Sequence, residues 1–180
     1  HLVPFGEYVP LQKFIPFINK ITQGAVGFSS GSGSKTITLS NLKISPLICY
    51  EAIFFDKIID KNNRPNLLIN LTNDAWFGEV SGPQQHLSQT RMRAIEQGIP
   101  LIRAANTGIS AVIDAQGRVL ASIPLGTAGF IDVPLPERLP PTLYSRTGDW
   151  SALALILVLL ATSWQRTRTC LLYTSPSPRD

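Results

Sequence analysis

Apolar and polar positions alternate between two periods along most of the chain. Residues 36–39 and 43–48 are short runs rich in Ile, Leu and Thr, separated by Ser40-Asn41, which predicts a hairpin-like pair of strands. Over 51–60, Ile53, Phe54, Ile58 and Ile59 fall at helical spacing and predict a helix directly after the second strand. An apolar strand is predicted over 67–71, then a polar loop over 72–82. Residues 84–97 predict a helix that Gly98 stops. Strands over 101–105, 110–114 and 119–123 follow, the last two joined by a turn at Gln116-Gly117. A final strand is predicted at 130–133, before the Pro-rich stretch 134–141. Ahead of these elements, Pro4, Phe5, Pro10, Phe14 and Pro16 break any period. That start reads as a loop, then a short amphipathic helix at 17–22 and a Gly/Ser loop at 24–34. Alternating strands and helices followed by a hairpin-rich stretch imply a layered α/β domain.

The pattern changes after Asp149. Residues 150–164, WSALALILVLLATSW, carry no charge, and Arg166 and Arg168 lie just beyond. Fifteen helical residues reach about 22 Å, short of the roughly 30 Å hydrocarbon core of a bilayer. Yet Trp at both ends matches an aromatic belt, and no face of the segment is polar. The expectation is a transmembrane helix over 150–165, joined by a linker at 142–149 to a domain over 1–141. The arginines then mark the cytoplasmic side, with the domain facing outward. The terminal run CLLYTSPSPRD, residues 170–180, resembles translated sequencing-adapter read-through and is set apart from the fold.

Composition narrows the classes. A chain of 180 residues, 44% hydrophobic and 16% charged, is long and apolar enough for one real core and is not a disordered chain. The net charge of +4 is spread over scattered Lys and Arg with no basic stripe interleaved with aromatics. Nucleic acid is therefore not an expected partner, whereas anionic lipid suits the charge. Cys49 and Cys170 make no disulfide framework and show no metal-ligand spacing. Gly27-Phe28-Ser29-Ser30-Gly31 matches G-x-S-x-G but lacks the strand and helix that a nucleophile elbow needs. Gly31 to Thr36 lacks the Gly that a phosphate-binding loop requires before Lys35.

Cys49 is the remaining candidate. A lone cysteine in an apolar run is by default an inert buried residue. Here it closes a predicted strand and opens a predicted helix, where the helix N-terminus favours a thiolate and free N–H groups face a developing oxyanion. Glu51 in the first turn suits the helix dipole. His86 is a possible partner for a Cys–His pair, but on a Gln-rich helix it reads as a surface or capping residue.

PLICYEAIF, preceded by HLVPFGEYVPL and followed by NLTNDAWFG, QQHLSQTRMRAIEQGIPLIRAANTGISAVIDAQG and YSRTGDW, resembles the nitrilase superfamily and, within it, the apolipoprotein N-acyltransferase family. The resemblance runs from His1 to about Trp164. It implies an α/β fold, a nitrilase-like αββα sandwich made incomplete by a missing N-terminal part, followed by the C-terminal transmembrane helix. It also implies a Glu-Lys-Cys triad with Cys49 as nucleophile. The family's Lys and Glu fall before His1, so Lys13 and Lys43 do not replace them, and the chain alone is expected to be inactive. Cys49 would take an acyl chain from a phospholipid and pass it, through a thioester, to the α-amine of a diacylglyceryl-cysteine on an apolipoprotein. Glu7 would be a second carboxylate near the thiol, Tyr50 would offer its backbone N–H to the oxyanion, and Glu51 would brace the elbow. Read from their own positions, Trp76 and Phe77 on an exposed loop either line the acyl pocket or anchor the loop by packing, and Phe5, Phe14, Phe17 and Phe28 are a hypothesised lipid-facing lid. No cofactor or metal is implied. The implied setting is a monomer at the bacterial inner membrane, its catalytic domain on the periplasmic side. The rival classes are a soluble nitrilase-type amidase and a non-catalytic membrane-anchored domain.

Overall fold

The computed structural model describes residues 31–55 and 58–173, with side chains as far as Thr167. Glu7, Phe5, Phe14, Phe17, Phe28 and the elements predicted before residue 31 lie outside the described residues. The chain divides into two compact units, His1–Thr142 and Leu143–Asp180.

In the first unit six strands form one sheet in sequence order: β1 (Ile37–Leu39), β2 (Leu42–Ile48), β3 (Leu67–Asn73), β4 (Leu101–Asn106), β5 (Ser110–Ile113) and β6 (Val119–Ile123). β2, β3 and β4 run parallel, while β1, β5 and β6 are antiparallel to their neighbours. The antiparallel joins are short because the backbone reverses at left-handed residues, Ser40 between β1 and β2 and Thr107 between β4 and β5. Parallel neighbours need a crossover. The one between β3 and β4 carries helix α1 (Gly82–Gln97).

The crossover between β2 and β3 departs from the sequence expectation. In place of a helix over 51–60 there is a 3-10 helix, Cys49–Ile53, after which Phe54 turns extended. Ile58 is instead drawn into the core, where its carbonyl accepts the Ser45 hydroxyl of β2 at 2.8 Å. That tertiary anchor outweighs the local helical period. The strand predicted at 130–133 is not formed either: Phe130 is 91% exposed, and β6 is the last strand of the sheet. Alternation alone supplies no pairing partner.

The core lies on one face of the sheet. Leu47, Leu68, Leu101, Ala111 and Ile113 project there against Ala52, Ile58, Ala94 and Ile99. On the other face Ile48 and Leu71, register partners across β2 and β3, stay exposed. The second sheet of an αββα sandwich is not among the described residues. α1 carries Pro83 in its first turn and ends at Gly98, whose left-handed backbone (φ 62°) returns its N–H to Ala94 and Ile95. The Pro-rich stretch is tied to this end: Leu139 N–H donates to Gly98 O at 2.9 Å, and the Arg64 guanidinium donates to both Gln97 O and Leu139 O.

The second unit contains α2 (Leu143–Thr147), within the predicted linker, and α3 (Trp150–Tyr173). α3 is apolar and exposed on every side from Leu153 to Leu160. Among the described residues no helix is long and apolar enough to cross a membrane. The spanning segment expected over 150–165 is therefore not confirmed. Its apolar stretch stops at Trp164, and the helix continues through Gln165 and Arg166.

One turn offers a direct check on this packing. Gly117, between β5 and β6, has φ +80°, and a Cβ there would lie 2.5 Å from the Ile95 side chain on α1. Gly117→Ala adds backbone strain and a clash at one point. Thermal denaturation is expected to show a loss of about 1–3 kcal/mol; an unchanged melting temperature would contradict the turn geometry.

Candidate active site

Cys49 stands at the carboxyl end of β2, where the parallel strands open onto the edge that α/β sheets use for ligands. Its backbone is left-handed, φ 49°, a conformation rare for a residue with a side chain. Such strain persists only where neighbours impose it, and it recurs at functional turns. Two groups impose it here. The Glu51 carboxylate reaches back across the turn and accepts the Ile48 N–H at 2.8 Å. On the other side, the Asn70 amide donates to Leu47 O and to Cys49 O, each at 3.1 Å.

Asn70 belongs to a buried polar cluster that the strand register assembles. Leu47, Asn70 and Arg103 are successive partners across β2, β3 and β4, so their side chains emerge side by side on the core face. Arg103 Nη1 donates to Asn70 Oδ1 and to Thr90 Oγ1, its Nη2 pairs with Asp74 Oδ2, and its Nε donates to Ile109 O. Asp74 Oδ1 also accepts the Thr72 hydroxyl at 2.9 Å and faces His86 Nδ1 at 2.9 Å. The Asp74 carboxylate only accepts, so in this pair Nδ1 donates, and Arg103 Nη2, 3.2 Å from the same nitrogen, then makes no hydrogen bond to it. His86 Nε2 is buried without a hydrogen-bond partner among the described residues. Burial pulls the Arg103 guanidinium below its ordinary value, while Asp74, and after it Cys49, hold it up. Burial raises the Asp74 carboxyl, but the His86 hydrogen bond and the Arg103 charge outweigh it and leave Asp74 below the usual carboxylate range.

An aromatic cluster covers this group. The Tyr50 ring lies 5.7 Å from Phe77 and 5.6 Å from His86, and Phe77 meets His86 edge-on at 5.5 Å. Phe77 ends a 3-10 helix, Asp74–Phe77, capped by Asn73, whose Oδ1 accepts from Ala75 N–H and from Asn106 Nδ2 at the end of β4. Among the described residues no group of three His, Cys, Asp or Glu side chains converges on a metal position.

Residues 1–139 match the family model described as carbon-nitrogen hydrolase. The chain belongs to the carbon-nitrogen hydrolase family. It is 52% identical over 163 residues to the apolipoprotein N-acyltransferase of Rhodopseudomonas palustris, covering 89% of this chain and 30% of that relative. The enzyme of the same name from Bradyrhizobium diazoefficiens is 49% identical, with 89% of this chain and 31% of the relative covered. This carbon-nitrogen hydrolase chain thus spans just under a third of the length of those curated relatives. Among solved structures it is similar to a mutant of the amidase from Nesterenkonia sp. AN1, at 18% identity and TM-score 0.49 over 82% of this chain and 54% of that one. The carbon-nitrogen hydrolase from Helicobacter pylori G27 gives 19% and 0.46 over 54% and 41%.

Within this member of the family, Cys49, Tyr50, Glu51 and Phe77 gather around the end of β2 and the start of α1. Trp76 does not join them; it is 81% exposed. Its neighbour Phe77, at the end of the turn that Asn73 caps, is the ring that meets Tyr50. His86 corrects the sequence reading: it is a buried partner of Asp74, not a surface or capping residue. Asn70, Asp74 and Arg103 were absent from the sequence-based candidates. Their signal was available, as a charge inside the strand LIRAAN and an amide inside LLINLTN, polar groups that a buried strand holds only when paired.

Acid should act through Asp74. Its folded carboxyl lies below the unfolded value of about 4, so its charge stabilises the fold above that pH and the contribution fades as pH falls through and below it. Urea unfolding at pH 7 and pH 3 should show Asp74→Asn losing about 3–5 kcal/mol at pH 7, because Arg103 is left buried without its counter-charge. It should also weaken the acid dependence; an undiminished dependence would rule out the assigned pair.

Proposed function

We propose that this chain is the nucleophile-bearing part of an N-acyltransferase that moves an acyl chain from a phospholipid to the α-amine of an apolipoprotein's diacylglyceryl-cysteine. The observation that carries this reading is Cys49 on a left-handed turn at the carboxyl end of a parallel strand. Support comes from the identity to proteins named apolipoprotein N-acyltransferase. The Cys49 thiolate attacks the ester carbonyl, the ester C–O bond breaks, and lysophospholipid leaves with a proton. The amine then attacks the thioester, a C–N bond forms, the C–S bond breaks, and the amine's proton passes to the general base. In this reading the Tyr50 N–H faces the oxyanion and Glu51 braces the turn, its carboxylate already bonded to Ile48 N–H. Glu7 contributes a second carboxylate, and Phe77 with the exposed Trp76 guides the acyl chain. The Glu base and oxyanion Lys of the family triad are not among the described residues. The domain completes an αββα sandwich when a second sheet covers the exposed Ile48 and Leu71 face.

The membrane is the natural place for this chemistry, because both substrates carry acyl chains. We infer that α3 seats in lipid and holds the domain on the periplasmic side of a bacterial inner membrane. Its apolar, exposed surface from Leu153 to Leu160 and the basic residues that follow support this. Leu157→Arg combined with Leu160→Arg should cut the fraction of protein floating with phosphatidylglycerol-containing vesicles by at least about tenfold. Equal flotation would remove α3 from the membrane.

For the chemistry, this chain replaces the matching residues in the Rhodopseudomonas palustris relative, and the chimera is incubated with phospholipid labelled in its acyl chains. A hydroxylamine-labile label on Cys49, lost in Cys49→Ala, is the expected result. No label, with a small amide hydrolysed instead, would assign the site to an amidase.

A further inference from the structure

The buried guanidinium of Arg103 and the amide of Asn70 take no part in the acyl-transfer steps, yet the amide reaches the nucleophile turn from behind and the guanidinium holds the amide. We propose that Asn70, oriented by Arg103, is a positioning residue that sets the backbone of Cys49. The inference rests on the reading of Cys49 as nucleophile.

The orientation of the amide follows from chemistry. Arg103 has donors only, so the amide oxygen of Asn70 must face Arg103 Nη1 and its NH2 group must face the two carbonyls. One NH2 group thus clamps Leu47 O and Cys49 O, at 3.1 Å each, across the only left-handed residue of the crossover among those described. The amide is fully buried on a central strand, and Arg103 is itself fixed by Asp74, Thr90 and Ile109 O. The clamp therefore has little freedom to move. A polarised amide that accepts from a guanidinium is also a stronger donor. Its partners, the carbonyls before and at Cys49, fix which way the following N–H groups point.

Asn70→Asp tests this on the whole chain, since it keeps an oxygen for Arg103 but removes both donors and places a carboxylate against two carbonyls. The readout is the rate of iodoacetamide alkylation at Cys49, followed by peptide mass spectrometry with Cys170 as internal reference. A residue that only held the fold would, when lost, loosen the turn and speed the reaction. The positioning role predicts the opposite, a fall of about tenfold in the Cys49 to Cys170 ratio. Asn70→Ser keeps one donor and should fall about threefold. An unchanged or raised ratio in either cooperatively folded variant overturns the proposal. So does failure of both variants to fold, since Asn70 would then serve the sheet and not the turn. Loss of thioester trapping in the unsubstituted chimera would remove the nucleophile reading as well. Intact trapping with an unchanged alkylation ratio removes only the role of Asn70.

Discussion

A guanidinium cannot shed its charge when buried, and Arg103 sits fully inside the sheet-to-helix layer. Everything near it has to answer that charge. Asp74 neutralises it from the loop after β3, Asn70 and Thr90 accept from β3 and α1, and the Ile109 carbonyl accepts from the β4–β5 turn. One side chain thereby ties β4 to β3 with its following loop and to α1, segments apart from it in sequence. Burying an ion pair in this way is seldom a net gain in stability, but removing either partner is costly. The cluster consequently fixes where those segments meet more than how strongly they hold.

What they meet around is the turn at Cys49. A positive φ at a residue with a side chain costs on the order of 1–3 kcal/mol unless its surroundings sustain it. Glu51 takes the Ile48 N–H in front of the turn, and Asn70 takes the carbonyls behind it. The same arrangement explains the unusual inner face of α1. Its buried positions are Pro83, His86, Thr90, Arg93, Ala94 and Gln97, four of the six polar, while Met92 and Ile95 are substantially exposed. Facing a polar cluster, a helix buries hydrogen-bonding groups in preference to apolar ones.

The second unit obeys a different constraint. α3 has no polar stripe to set its orientation against solvent, so its surface suits an apolar phase or other apolar helices. Its uncharged stretch is shorter than a bilayer core, and among the described residues no helix is long and apolar enough to cross a membrane. Length and polarity are read from the same residues, yet they answer separate questions. One concerns what surrounds the helix and the other how far it reaches.

The sequence by itself determined the strand-rich α/β character, the stop of α1 at Gly98, the apolar helix after Asp149 and the position of Cys49 at the end of a strand. Each of these is a local property: period, a left-handed Gly, an uncharged run. It also placed Cys49, Tyr50 and Glu51 together, because they are consecutive. Only the tertiary structure decided the rest. The helix predicted over 51–60 gave way because Ile58 found a place in the core, and residues 130–133 formed no strand because pairing needs a partner that alternation cannot supply. The cluster of Asn70, Asp74, His86 and Arg103 exists only through strand register and the crossover that returns α1 to the sheet. A charge inside an apolar strand announces that some partner must exist. Which partner answers it, and which thiol stands beside the answer, is set by contacts between residues far apart in the chain.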